Sequence, residues 1–156
     1  MYKLALTFSL SLILFVSAGV AQADFSLSIT PKAPHKKYTP GHLCDEKNED
    51  FYEHRYEEEV PYCIRNVSFY QRTLIYEKYK IAENRRADYT IDHLIPLSIG
   101  GSNEPENLWP EHKEIKALRP YLEVEVFLAL KDGRITQKEA IELILEAKLN
   151  PPLVFH

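Results

Sequence analysis

The stretch from Tyr89 to His112 limits what this chain can fold into more than any other, because it sets strand-forming, turn-forming and chemically active residues in close alternation. Tyr89-Thr90-Ile91 is a β-favouring run that delivers the pair Asp92-His93. Pro96, Gly100 and Gly101 then turn the chain back towards Asn107-Leu108-Trp109. Pro110 stands where a helix could begin. The pattern predicts two short strands and a helix that bring Asp92, His93, Asn107 and His112 together. Successive strand residues point to opposite faces, so Asp92 and His93 can serve one site only from a strand end.

These residue types suit phosphodiester hydrolysis. That reaction needs a base for the attacking water and a cation near the departing oxygen. A neutral imidazole, with an ordinary pKa of ~6.5, is the natural base near neutrality. His93 fits the base. The Asp92 carboxylate is a suitable oxygen donor for magnesium or manganese, and His112 widens the choice to zinc or nickel. The bland readings are a structural Asp-His pair and a turn or cap role for Asn107.

With its continuation Pro96-Leu97-Ser98, Gly100-Gly101-Ser102-Asn103 and Asn107-Leu108-Trp109-Pro110, the stretch resembles the HNH (ββα-metal) endonuclease superfamily, most sharply over residues 89–119. The resemblance implies that Asp92 ligates a divalent metal, that His93 faces the scissile phosphate, and that the Asn107 amide ties down the loop holding His93. In many members the last ligand lies farther along the helix, near Lys116 here. A protonated lysine is a poor divalent ligand. Either His112 takes that role from one turn earlier, or Asp92 and waters hold the ion almost alone. Magnesium is expected first, with manganese, zinc or nickel open.

The length of 156 residues suits one compact domain. Residues 1–23 are set apart as a secretory signal peptide: Lys3 precedes an apolar run from Leu4 to Val20, and Ala21-Gln22-Ala23 supplies a small-x-small cleavage site. An uncleaved anchor is the alternative. Residues 24–40, with Pro31, Pro34, Pro40 and scattered lysines, read as an extended arm. Residues 41–156 read as a single HNH nuclease-like domain of the α+β class, mainly helical around the ββα motif.

Cys44 and Cys63 are the only cysteines, and in an exported chain an even pair points to one disulfide. A two-thiol metal site lacks the spacing and further partners of a zinc motif. Between them, Asp45 to Glu59 read as an acidic, aromatic loop that would repel a nucleic-acid backbone. Ser68 can cap a helix from about Phe69 to Lys80 that buries Leu74, Ile75 and Tyr79. Farther on, helical spacing runs through Pro120, which implies a kink or two helices. Thr136 with Glu139 forms a capping-box pattern opening a last helix, whose buried stripe is Ala140, Ile141, Ile144, Leu145 and the Lys148 stem.

Without residues 1–23, which hold Lys3 alone among charged residues, 18 of the 19 basic residues remain against 23 acidic ones, a net charge of −5. Non-specific nucleic-acid binders are usually basic, so a local positive patch is needed. Lys113, Lys116 and Arg119 are the candidates, with Arg85 and Arg86. Ordinary surface charge is the competing reading. The expected function is an exported, periplasmic or secreted, metal-dependent endonuclease of little sequence specificity, acting on nucleic acid, DNA ahead of RNA. The alternative is a catalytically inactive HNH-like binding or structural protein.

Overall fold

The computed structural model describes residues 30–151. The expected signal peptide and the first part of the expected arm, residues 1–29, lie outside the described residues, as do residues 152–156. The fold is a small α+β domain with two antiparallel two-stranded hairpins. The first hairpin pairs β1 (Phe51–Arg55) with β2 (Val60–Cys63). It corrects the expected loop between the cysteines. Its first strand exposes residues of both faces, so it carries no alternation of apolar and polar positions from which a strand is read. Cys44 and Cys63 form the expected disulfide, their Cα atoms 5.8 Å apart.

Ser68 caps α1 (Phe69–Lys78) through a capping box with Gln71. Ile75 is buried as expected, whereas Leu74 is 43% exposed. A 3-10 turn over Glu83–Asp88 leads into β3 (Tyr89–His93), which pairs antiparallel with β4 (Leu108–His112). Pro110 lies inside β4 rather than at a helix start. This is tolerated because β4 has one neighbour only, so no ladder donor is lost on its open edge. The helix that follows, α2 (Lys113–Ala117), therefore begins three residues beyond Pro110. Pro120 separates it from α3 (Leu122–Lys131), giving two helices rather than a kink. Thr136 and Glu139 form the expected capping box of α4 (Gln137–Leu149).

The β3–β4 hairpin is a wall between two cores. On one side Trp109, fully buried, joins Leu94, Ile95 and Ile99 with Val126, Leu130, Ala140 and Ile144 of α3 and α4. On the other, Ile91 and Leu108 pack on Ile75 of α1. The end of the expected arm is tied in: the Thr39 hydroxyl donates to Leu108 O at 2.8 Å.

The long loop between β3 and β4 closes on Asn107, which is fully buried. Its Oδ1 accepts from Ile95 N, and its Nδ2 donates to Ile95 O and Ser102 O, each at 2.9 Å. Every polar atom of the amide is thus engaged. Gly101 lies against this knot, where a Cβ would stand 1.8 Å from Ile95 O and 2.9 Å from Asn107 Nδ2. Only glycine fits that approach of backbone to backbone.

Candidate functional site

The hairpin register decides what Asp92 and His93 can do. Asp92 is paired with Trp109 and Thr90 with Glu111, so these four side chains share the face towards α3 and α4. His93, paired with Leu108, faces the opposite side. His112, paired with Tyr89, belongs to that side too and stands three residues along the hairpin from the Asp92 pair. It does not join Asp92. His112 instead caps α2, its Nδ1 accepting from Glu114 N at 3.3 Å, and packs edge-on against the Tyr89 ring.

Asp92 is buried among charges. Its Oδ1 accepts from Lys116 Nζ at 2.7 Å and its Oδ2 from Lys148 Nζ at 2.9 Å. Lys148, from α4, is fully buried. Its ammonium also donates to His93 O at 2.7 Å and to Glu123 Oε1 at 2.6 Å, which accounts for all three of its donors. Glu111, fully buried beside them, pairs with Arg119, and its Oε2 lies 3.6 Å from Lys116 Nζ without a hydrogen-bond partner. Burial alone would raise the Asp92 pKa, but Lys148 and Lys116 outweigh it and hold the carboxyl well below its usual range. Glu111 moves the other way: burial, then the Asp92 charge, push it up to about 7 against the pull of Arg119.

His93 sits in a different chemical setting and is 4% exposed. Asn103 Nδ2 donates to Asp50 Oδ2 at 2.9 Å and to Ile64 O at 2.8 Å, both pure acceptors. The amide is therefore oriented with Oδ1 towards His93 Nε2, 3.0 Å away, and Nε2 must carry the proton of the neutral ring. That leaves Nδ1 with the lone pair. Nδ1 has no hydrogen-bond partner among the described residues and is the ring's free acceptor. Burial lowers the His93 pKa, opposed by the Asn103 bond, and favours the neutral, basic form. Arg65, exposed, donates to Ile91 O at 3.3 Å, and its charge adds to the lowering of the His93 pKa.

The residues expected to contact nucleic acid divide into two groups. Lys113, Lys116 and Arg119 line one cavity of about 330 Å³ with Ala117, Pro120 and Glu123. Arg85 and Arg86 are not part of it: Arg85 pairs with Asp88 at 2.9 Å, and Arg86 lies over the Tyr76 ring. Sequence reasoning missed Asn103, Asp50, Arg65, Lys148, Glu111 and Glu123. Asn103 stood in the Gly-Gly-Ser-Asn turn, and Lys148 stood on the apolar stripe of α4. Each had a local explanation that hid its long-range one.

Asp92 and His112, proposed as ligands on sequence grounds, do not form a divalent-metal seat as folded. Both Asp92 oxygens are engaged by ammonium groups, His112 is on the other face, and no group of three or more His, Cys, Asp or Glu side chains converges among the described residues. In comparisons with known proteins, no family model, curated protein or solved structure matches the chain.

Proposed function

We propose that this protein is an exported HNH-type endonuclease that hydrolyses nucleic-acid phosphodiester bonds, DNA ahead of RNA, with His93 as the general base. The observation that carries the reading is the His93–Asn103–Asp50 chain, which gives one buried imidazole a single tautomer and leaves Nδ1 as its basic nitrogen. A base oriented by a second group, itself oriented by a third, is the arrangement that proton abstraction requires. The strand–strand–helix order of β3, β4 and α2 and the loop closed by Asn107 support it further.

His93 Nδ1 takes a proton from water, the water oxygen bonds to phosphorus, and the phosphorus–oxygen bond on the far side breaks. The released oxygen takes its proton from solvent, leaving one phosphate monoester end and one hydroxyl end. By resemblance to HNH enzymes, the phosphate stays on the 5′ end. Arg65, whose charge acts on His93, is a cation for the backbone, whereas Lys113, Lys116 and Arg119 border a cavity on the Asp92 face of the hairpin.

A second reading, binding without cleavage on an HNH-like scaffold, is favoured by the ammonium groups on Asp92. Plasmid cleavage by the purified protein, beside His93→Ala, separates the two. The nuclease reading expects nicking that falls about 10²- to 10⁴-fold in the variant. An intact plasmid with and without added magnesium, manganese, zinc and nickel, or equal cutting by the variant, rejects it.

A further inference from the structure

The cluster around Lys148 is built as a cation site whose cation is already part of the chain. Its ammonium collects a side-chain carboxylate, a main-chain carbonyl and a second carboxylate, from β3 and α3, all at 2.6–2.9 Å. These are the oxygen donors a hard metal ion gathers, but the spacing is that of charge-assisted hydrogen bonds, longer than the 2.0–2.1 Å of magnesium–oxygen contacts. No negative charge is left over for an ion: Asp92, Glu123 and a Glu111 that titrates at about 7 stand against Lys116, Lys148 and Arg119. A divalent ion added to this closed set would leave two buried positive charges uncompensated, or would have to expel a fully buried lysine.

We infer that the Lys148 ammonium is the resident cation of this site, so that Asp92 binds a side chain of its own chain rather than a divalent metal, and cleavage by this protein needs no divalent ion. The last part rests on the nuclease reading, whereas the occupancy of Asp92 does not. The one ammonium on Asp92 that reaches solvent is Lys116, with 45% of its side chain exposed. It borders the cavity with Lys113 and Arg119.

The test uses the ¹⁵N-labelled full mature chain and two measurements. In the first, manganese(II) is titrated in while backbone amide signals are followed. Signals of Asp92, His93, Glu123 and Lys148 are expected to persist at stoichiometric ion, since a paramagnetic ion held by Asp92 would erase them first. Their selective loss overturns the inference. Lys148→Met, which opens the seat, is expected to gain that selective loss. If this variant does not fold, the wild-type titration still decides. In the second, plasmid cleavage is compared with EDTA and with magnesium. Equal rates are expected. Cleavage abolished by EDTA and restored by magnesium, together with Asp92-centred broadening, overturns the resident cation and leaves the nuclease reading standing. Persistent amide signals with no cleavage under any condition support the resident cation and reject the nuclease reading.

Discussion

Lys148 and Asp92, 56 residues apart in sequence, meet in a 2.9 Å ammonium–carboxylate contact that ties the last helix to the end of β3. Both are buried, and the ammonium bridges to α3 through Glu123 as well. The contact therefore sets how α3 and α4 sit on the Asp92 face of the hairpin, which is also where Trp109 enters the main core.

Removing one partner of a buried pair strands the other charge, and the cost is typically about 3–5 kcal/mol. Lys148→Met keeps most of the apolar stem and, because Asp92 retains Lys116, is expected to lower unfolding stability by up to about that amount in urea titration. Adding Asp92→Asn to Lys148→Met should cost much less than the same change in the wild type. Purely additive effects of the two substitutions would show that the contact has no energetic role.

Glu111 supplies a pH dependence of opposite sign to the usual carboxylate. Its folded pKa lies above the ordinary 4.5, at about 7, so the fold binds its proton more tightly than the unfolded chain does. The contribution is fully present below pH 4.5 and is lost as pH rises through about 7. Relative to Glu111→Gln, the wild type should lose on the order of 1–3 kcal/mol between those limits. Asp92 behaves conversely, because its folded pKa is depressed: its contribution is present above the ordinary 3.8 and is lost on acidification. Parallel stability–pH curves for wild type and Glu111→Gln between pH 4.5 and 8 would contradict the Glu111 assignment.

How much of this was legible follows from how local each signal is. The strand Tyr89–His93, the caps at Ser68 and Thr136 and the break at Pro120 are written in adjacent residues, and they appear where the pattern puts them. His112 was placed wrongly relative to Asp92 because Pro110 resembles a helix opener, yet an edge strand accepts it. That delay put His112 on the opposite face. The β1–β2 hairpin left no mark because its outer strand has little buried face to pattern. Lys148 looked like a snorkelling residue at the rim of an apolar stripe, and its acceptors come from β3 and α3. No spacing rule links positions that far apart.

The disulfide closes a loop of 19 residues and should stabilise the fold by about 3 kcal/mol through the unfolded chain. Cys63 is fully buried and Cys44 nearly so, hence reduction is expected to be slow in the native state and fast once urea opens the protein. Cys44→Ala with Cys63→Ala should lower the urea midpoint with little change in the far-ultraviolet circular dichroism. An unchanged midpoint would mean that the hairpin and Asn107 knot hold this region without the crosslink.

Asn103 is expected to act on chemistry through His93 alone. Asn103→Ala removes the acceptor that keeps the proton on Nε2, so the ring is free to take the other tautomer, with its lone pair turned inward. Asn103→Asp keeps an acceptor but brings a carboxylate next to Asp50, and it should raise the His93 pKa. In the wild type, burial lowers that pKa, so the acid limb of the pH–rate profile should fall below the ordinary 6.5. The aspartate variant should move the limb upward, and the alanine variant should reduce the rate at every pH. Imidazole ¹⁵N shifts give a check independent of activity, since they distinguish Nε2–H from Nδ1–H directly. A wild-type ring found mainly as the Nδ1–H tautomer would remove the base from His93, whatever the cleavage assays show.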